Sequence, residues 1–434
     1  MALLLGRTNS TDRAAAAELA RELEGLPLAL AQVAGYCEQT GLSLAEYLGA
    51  YRRRHQELLA EGQPVDYPAT VATTWQLSVD QLASRSPAAV QLLRLAAFLA
   101  PERIPLDLLT AYPQQLPEEL AGAAADEAAL EATVGALVGL SLVTRERGGL
   151  RLHRLVQAAT QASLPTDQGA RWAERVVRLI WGAFPIPPQD PRVWPQAAGL
   201  LPHALTAADH ADARQAALAA TGGLRNQVAV YLMSRGELIA AREQLERALR
   251  TSKVAYGPDH PNIASILGNL GGLLRELGGL RAARQQLERA LRIQEAAYGP
   301  DHPDVASTRG NLGSLLLALG ELPAARQQLE HSLRLFEASY GPDHPEVAIA
   351  PSNLGAVLFQ LGDLPAARAR MERALRIGEV AYGSDHPNVA VDLGNLAGVL
   401  LGLGELPAAR EALEHALRLK RPRTAATTPT SPAP

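Results

Sequence analysis

The chain has 434 residues, of which 47% are apolar and 20% are charged, so it can form a packed core and is not a disordered polymer. Its formal net charge of −4 provides no general attraction to nucleic acid or to an anionic membrane. A single cysteine, Cys37, excludes an internal disulfide framework, and no apolar run is long enough to span a membrane. We therefore expect a cytoplasmic protein of two to four domains.

Residues 1–60 predict a helical segment. The stretch "TDRAAAAELARELEGLPLALAQVAGYCEQTGLSLAEYL" has the pattern of helix, turn and helix, followed by another turn. Thr11 or Asp12 can cap the first of these helices.

Residues 61–165 predict a small winged-helix domain. Helices come first, and Val143, Leu150 and Leu152 then flank "RERGG", which predicts a β-hairpin with a Gly-Gly turn that leads into another helix. Acidic residues outnumber basic ones in this segment, which disfavours binding to DNA phosphates. A local contact stays open, since four arginines lie in or beside the hairpin: Arg145, Arg147, Arg151 and Arg154.

Residues 166–212 predict an amphipathic helix and a linker. The helix is expected at 168–183, and six prolines follow it in "PIPPQDPRVWPQAAGLLP" at 185–202. Proline-rich segments are extended and stiff, so this stretch predicts a rigid connection. The tail at 422–434 is expected to be disordered.

Residues 213–421 repeat with a period of 42 residues, which predicts about five units of an α-solenoid. Each unit carries two apolar stripes at helical spacing with a glycine between them, so it is expected to be a helical hairpin. Gly271, Ala283 and Ala290 are small residues at the place where the two helices must approach closely. Pro351 interrupts the first helix of the fourth unit and predicts a kink there.

The six-residue phrase "YGPDHP" joins successive units at 256–261, 298–303 and 340–345, with "YGSDHP" at 382–387. As a structural joint, Gly257 takes a left-handed conformation that closes one helix, and Asp259 or His260 caps the next. The alternative is a metal site at His260, His302, His344 and His386. Neighbouring helices are about 8–10 Å apart and metal–nitrogen bonds are about 2 Å, so successive histidines cannot share an ion. We expect a joint and no metal.

Residues 213–421 resemble tetratricopeptide repeats of the 42-residue kind found in kinesin light chains, through "NLG" and the phrase "YGPDHPxVA". The resemblance implies a groove, lined by the first helix of each hairpin, that holds a protein or peptide. One position of that helix is asparagine in four of the units, either to bind a peptide backbone or merely because it is tolerated on a solvated face. These residues are Asn269, Asn311, Asn353 and Asn395.

Variable neighbours of the asparagines would set the specificity of this groove. They are Arg225, Arg275, Arg309, Gln360 and Asp392. Arg225 and Arg309 occupy the same position of the repeat, which favours an acidic ligand.

The first half is similar to the helical and winged-helix portion of bacterial NB-ARC (STAND-type) signalling ATPases, through "GLPLAL", "TTWQLS" and "LHRLVQ". The resemblance implies that Pro27 lies against a nucleotide base and that His153 reaches the β-phosphate of ADP. Arg154 stands where plant and animal members have aspartate. Without a nucleotide, Pro27 is simply a helix breaker and His153 a residue at the end of the hairpin.

No P-loop is present, because the two lysines, Lys253 and Lys420, do not follow a glycine. We expect no catalysis and no cofactor, with ADP or ATP relevant only if an upstream nucleotide-binding domain exists. The sequence predicts the peptide-binding regulatory and sensor arm of an NB-ARC-type protein, with an ATPase module as a possible partner. The alternatives are a stand-alone scaffold, a truncated frame of a signalling NTPase, and a winged-helix transcriptional regulator.

Overall fold

The computed structural model describes residues 1–60, 69–344, 347, 349–384 and 387–420. Within these ranges the chain forms 22 α-helices and one small sheet, so the expected mainly-α class is confirmed. The helices belong to two compact units, which we call the N-terminal unit (Met1–Ala255) and the C-terminal unit (from Tyr256 onward). None of the described helices is long and apolar enough to cross a membrane. The predicted tail at 422–434 lies outside the described residues.

Five helices open the N-terminal unit. They are α1 (Ala2–Thr8), α2 (Arg13–Glu22), α3 (Pro27–Thr40), α4 (Leu44–Ala60) and α5 (Ala69–Arg85). Leu19, Val33 and Tyr47 are fully buried in their shared core. The carboxylate of Asp12 accepts a hydrogen bond from the Ala15 N–H at 3.0 Å, so Asp12 is the residue that caps α2.

A second group of short helices surrounds a three-stranded antiparallel sheet. Its elements are α6 (Pro87–Ala96), β1 (Ile104–Pro105), α7 (Asp107–Ala111), α8 (Glu118–Ala124), α9 (Glu127–Gly139), β2 (Val143–Glu146) and β3 (Gly149–Leu152). β2 pairs with β3, which confirms the predicted hairpin, and β1, which the sequence did not indicate, pairs with the other edge of β3.

The predicted Gly-Gly turn of this hairpin is wrong. The two connecting residues are Arg147 and Gly148, which has a φ of 81°. Gly149 is already a strand residue paired with Glu146, and a Cβ there would lie 2.5 Å from the carbonyl oxygen of Ile104. Glycine is needed at 149 because the backbone of β1 lies so close. The winged-helix assignment for 61–165 stays a prediction.

Three helices follow the hairpin: α10 (Arg154–Ala162), α11 (Thr166–Ala183) and α12 (Trp194–Ala213). The predicted amphipathic helix is α11. The predicted stiff linker at 185–202 is wrong in its second part, because α12 starts at Trp194 and contains Pro202. Ala197, Ala204 and other small residues bury one side of α12 against α11 and the helix that follows it.

Five helical hairpins follow, as the repeat predicted. In the N-terminal unit they begin with α13 (Leu218–Ser234) and α14 (Leu238–Tyr256). The C-terminal unit contains α15 (Pro261–Glu276), α16 (Leu280–Tyr298), α17 (Pro303–Ala318), α18 (Leu322–Tyr340), α19 (Ile349–Gln360), α20 (Leu364–Tyr382), α21 (Pro387–Gly402) and α22 (Leu406–Lys420). We call the first helix of each hairpin helix A and the second helix B.

Small residues allow the two helices of a hairpin to touch. A Cβ at Gly271 would lie 2.5 Å from the Cγ of Leu287, and one at Gly313 would lie 2.6 Å from the Cγ of Leu329. Ala283 faces the same contact and is fully buried. The expected close approach at these positions is confirmed.

Pro351 does not kink the interior of a helix, contrary to the prediction. α19 begins at Ile349, so Pro351 lies in its first turn, where the N–H of a residue has no partner within the helix. α19 has 12 residues, whereas α15, α17 and α21 have 16. Pro351 therefore lies where a proline is tolerated within the part of helix A that the structure describes.

Candidate functional site

The histidines of the repeated phrase cap the helices that follow them. The Nδ1 atom of His260 accepts a hydrogen bond from the Asn262 N–H at 3.2 Å, and His302 accepts one from the Asp304 N–H at the same distance. His302 also stacks on Tyr298, with 4.5 Å between ring centroids. The stacking fixes the ring in its capping position, so these residues form the joint that the sequence predicted, with histidine as the cap.

The glycine of the joint differs from the expected left-handed helix closure. Gly299 has a φ of 86° and a ψ of 164°, a conformation that glycine adopts and that strains other residues. Within the described ranges no three His, Cys, Asp or Glu side chains come together as metal ligands. His386 lies outside the described residues.

The four asparagines lie on helix A of successive hairpins in the C-terminal unit. Asn269, Asn311 and Asn353 are half-buried and Asn395 is exposed. The Nδ2 atom of Asn353 donates to the Ser314 hydroxyl at 2.9 Å, and Asn395 donates to the Ser352 hydroxyl at 3.4 Å. Each of these two bonds joins one helix A to the preceding one.

Asp392 completes the contact between α19 and α21. The Ser352 hydroxyl donates to the Asp392 carboxylate at 2.9 Å. Burial raises the pKa of this carboxyl above its usual range, and the bond from Ser352 opposes that shift. Sequence analysis missed Ser314 and Ser352, because the other hairpins of the C-terminal unit have glycine or alanine at those positions and the serines leave no repeating signal.

Arg225 does not reach a ligand, contrary to the prediction. It is 1% exposed, and its guanidinium donates to Asp209 at 2.7 Å, to Asp212 at 2.9 Å and to Gln244 at 2.6 Å. Asp209 and Asp212 belong to α12, so the arginine ties that helix to the first hairpin. Its place in the core follows from this pairing, because an unpaired buried charge is very costly.

Arg309 has the same arrangement in the third hairpin. Its side chain is 12% exposed, pairs with Glu295 and donates to Gln328 at 2.8 Å. The equivalent residues Leu267 and Leu393 are both buried. These leucines, with the buried Pro351 at the same position of the fourth hairpin, were the signal available in the sequence, since a position that is apolar in most repeats belongs to a core. The predicted preference for an acidic ligand rested on these two arginines, and both are paired within the fold.

Two other predicted specificity residues are accessible on helix A. Arg275 is one-third exposed and lies 3.5 Å from Glu276, which is adjacent in the chain. Gln360 is exposed at the last residue of α19. Both can therefore meet a ligand, whereas Arg225 and Arg309 cannot.

Pro27 and His153 each lie at the exposed N-terminus of a helix in the N-terminal unit. Pro27 is the first residue of α3. His153 is the N-cap of α10, and its Nδ1 atom accepts a hydrogen bond from the Leu155 N–H at 3.2 Å. Both positions have a local structural role that accounts for the residue, and their contact with a nucleotide stays a prediction.

The arginines of the hairpin are partly neutralised. Arg145 donates to the Glu131 carboxylate at 2.6 Å, and Arg151 pairs with Glu146 at 2.6 Å. These carboxylates compete with any DNA phosphate at the same arginines, which further disfavours the transcriptional alternative.

Two families match parts of the chain. Residues 219–296, 281–338, 305–377 and 346–421 match the family described as tetratricopeptide repeat, so the hairpins are tetratricopeptide repeats. Residues 80–169 match a family described as a domain of unknown function (DUF7779), which includes the sheet and the helices around it.

One curated relative is a nucleotide-binding leucine-rich repeat (NLR)-like protein of Hyaloscypha variabilis. It is 25% identical over 264 residues, which are 57% of this chain and 25% of the relative. The chain thus spans about a quarter of that protein's length.

Several solved structures are similar to part of the chain. BtubC (BKLC) of P. vanneervenii is 19% identical, with 62% of this chain and 100% of that chain covered and a TM-score of 0.42. A Podospora anserina kinesin light chain of nearly identical TPR-like repeats is 20% identical, with 45% and 92% covered and a TM-score of 0.37. The apo form of RapI is 17% identical, with 62% and 88% covered and a TM-score of 0.45.

Proposed function

We propose that this chain is a protein- or peptide-binding regulatory and sensor arm of an NB-ARC-type signalling protein, without catalysis of its own. The observation that carries the binding function is the series of tetratricopeptide hairpins at 219–421, because such repeats serve as protein-interaction scaffolds. The role in signalling rests on the resemblance of the first half and is supported by the NLR-like relative.

The ligand would lie along the row of A helices in the C-terminal unit. Successive A helices, α15 with α17, α17 with α19 and α19 with α21, contact one another more extensively than successive B helices do. The A helices therefore form the more closely spaced row of this unit, which is the inner side of a curved stack of hairpins. An extended segment on that side meets one asparagine per hairpin.

The asparagines keep hydrogen-bonding capacity for such a segment. Asn353 uses one N–H on Ser314, and its amide still offers a second N–H and a carbonyl oxygen. Asn311 makes no side-chain hydrogen bond to any residue that the structure describes. An amide with one donor and one acceptor available matches the alternating groups of an extended backbone. With Arg225 and Arg309 engaged elsewhere, we propose no charge preference for this surface.

The N-terminal unit would contact an ATPase module. Pro27 and His153 are both exposed there, so a nucleotide held by a separate domain can reach them. This part of the proposal depends on the resemblance alone and is independent of the binding by the A helices.

A phage-displayed peptide library selected on the full chain tests the binding function. Asn311→Ala removes a carboxamide that has no described partner, so the fold should persist while selected peptides bind about tenfold more weakly, as for the loss of two hydrogen bonds. The matched control is Gln285→Ala, which removes an exposed carboxamide from the far side of helix B. Selected peptides that bind Asn311→Ala as tightly as the unchanged chain would contradict the assignment.

A further inference from the structure

One position of helix B carries an arginine in every hairpin. The residue before it is leucine in every hairpin, whereas the residue after it varies. These residues are Arg250, Arg292, Arg334, Arg376 and Arg418, and all five are exposed. The last four belong to the C-terminal unit, and we call them the arginine row.

The arginine row faces away from the core of the C-terminal unit. Each member follows a fully buried alanine by nine residues, about two and a half helical turns, so it lies on the opposite side of its helix. For Arg292 and Arg334 the buried residues are Ala283 and Ala325. The row is therefore on the outer face of the B helices, whereas the asparagines are on the A helices.

Neighbouring carboxylates are already bound to other arginines. Glu288, one turn before Arg292, pairs with Arg284 at 2.8 Å. The same pair recurs between Arg326 and Glu330 at 2.7 Å, and in the two hairpins after that.

In two of the four hairpins the carboxylate on the other side is engaged as well. Glu295, one turn after Arg292, pairs with Arg309, and Glu337, one turn after Arg334, pairs with Arg373. No member of the arginine row forms an ion pair or a hydrogen bond with any residue the structure describes. The guanidinium groups thus point outward with their donors unused by the fold.

A hollow adjoins one member of the row. It has a volume of about 420 Å³ and is lined by Arg292, Ile293, the small residues Ala296 and Ala297, and the pair of Arg289 with Asp259, whose charged groups are 3.5 Å apart. The alanines leave room beside the guanidinium, so a side chain of a partner can lie against helix B there.

We propose that the arginine row is a docking surface for an acidic segment of a partner protein, separate from the A-helix surface. The planar fork of a guanidinium matches a carboxylate and binds it through two parallel hydrogen bonds. One arginine per hairpin presents such forks at a regular interval along the unit, and a segment with spaced Asp or Glu residues can meet several of them together.

A protein segment fits better than nucleic acid. A DNA strand places a phosphate every 3.4 Å or so, and a continuous backbone would meet the carboxylates that lie between members of the row. The whole chain has 45 acidic and 41 basic residues, so it offers no broad positive field to hold a polyanion. A peptide can instead place neutral residues beside those carboxylates.

The test uses the full chain, a labelled oligoglutamate peptide and fluorescence anisotropy at several salt concentrations. The triple variant Arg292→Gln/Arg334→Gln/Arg376→Gln should bind the peptide at least about tenfold more weakly and keep its melting temperature. The matched control is Arg284→Gln/Arg326→Gln/Arg368→Gln, which removes the same charge from the same helices at positions that are paired within the fold. It should lose less than about twofold in affinity.

Equal losses in the two triple variants would overturn the proposal, since they would show an effect of net charge alone. Failure of the unchanged chain to bind the peptide would also overturn it. A DNA oligonucleotide and phosphatidylserine vesicles are tested as alternative ligands. If either binds more tightly than the peptide and the arginine-row variant loses that binding, the proposed protein partner is wrong and the ligand is nucleic acid or membrane.

Discussion

The first two hairpins have chemically different side chains at the same position of the repeat, one charged and one apolar. Arg225 in α13 and Leu267 in α15 are 1% and 0% exposed, so the position is a core position in both. Arg225 is compatible with a core because α12 supplies Asp209 and Asp212 and helix B supplies Gln244. Leu267 has apolar neighbours instead. The position is set by the repeat, but the chemistry suited to it is set by the element packed against the hairpin.

The largest loss of stability is expected when Arg225, the charged residue of this pair, is replaced. Arg225→Ala leaves Asp209 and Asp212 with Arg247 as their remaining cation and Thr251 as a hydrogen-bond donor to Asp212. It should lower the free energy of unfolding by about 3 kcal/mol, the low end for a broken buried pair. Urea unfolding followed by tryptophan fluorescence measures it, because all four tryptophans lie in the N-terminal unit.

Arg242→Ala is the control for that experiment. Arg242 pairs with Glu246 at 2.7 Å on the exposed side of the same hairpin, and its loss should cost less than about 1 kcal/mol. Similar losses for both variants would mean that the buried cluster contributes no more than a surface pair.

Substitutions at glycines of helix A test how closely the two helices of a hairpin pack in the C-terminal unit. Gly313→Ala places a Cβ 2.6 Å from the Cγ of Leu329 and should destabilise the C-terminal unit by about 1–3 kcal/mol through overpacking. Gly272→Ala has nothing within 4 Å of the new Cβ and should stabilise by up to about 1 kcal/mol, since alanine favours the helix. Circular dichroism during urea unfolding should separate the two, and the same sign for both would contradict the contact.

The joint that precedes the later hairpins should have a smaller effect. His302→Ala removes the cap of α17 and should cost about 1 kcal/mol. His302→Asn keeps an acceptor at the N-cap and should recover most of that loss when measured by the same unfolding experiment. If asparagine is no better than alanine, stacking on Tyr298 rather than capping determines the residue.

The buried histidines of α12 give the N-terminal unit a pH dependence of its own. Burial lowers the pKa of His203 and of His210 below the ordinary value of 6.5, so the unfolded chain binds protons more readily than the folded one. Stability is then fully present above pH 6.5 and should decline as the pH falls below it. His203→Gln should flatten the decline measured by tryptophan fluorescence between pH 7 and 5.5, and an unchanged slope would show that His203 is not responsible.

Much of the fold was predictable from the sequence because the signals are local. The 42-residue period, the glycine between the helices and the prolines at their first turns each act on neighbouring residues of the chain. The hairpin at 143–152 followed in the same way from alternating apolar residues around a turn.

The candidate site was less predictable, because it depends on what faces each residue. Arg225 and Arg309 were expected at a groove, but Arg225 is buried and Arg309 is mostly buried against Glu295 and Gln328. Ser314 and Ser352 link the A helices without any repeating pattern. Helix α12 was expected to be part of a linker, because its prolines suggested a stiff extended chain. Pro195 is tolerated because it lies in the first turn, where its missing N–H removes no helical hydrogen bond. Pro202 is inside the helix, which packs against α11 and α13.

By itself the sequence determined the number of hairpins, their boundaries and the joint between them, because spacing along a helix and capping are properties of a short stretch of chain. Only the tertiary structure decided which arginines form ion pairs within the fold. In the C-terminal unit, three positions of helix B carry arginine in several hairpins, and two of them are paired while the arginine row is not. Sequence cannot distinguish them, since an ion pair is defined by the distance between groups on different turns and helices.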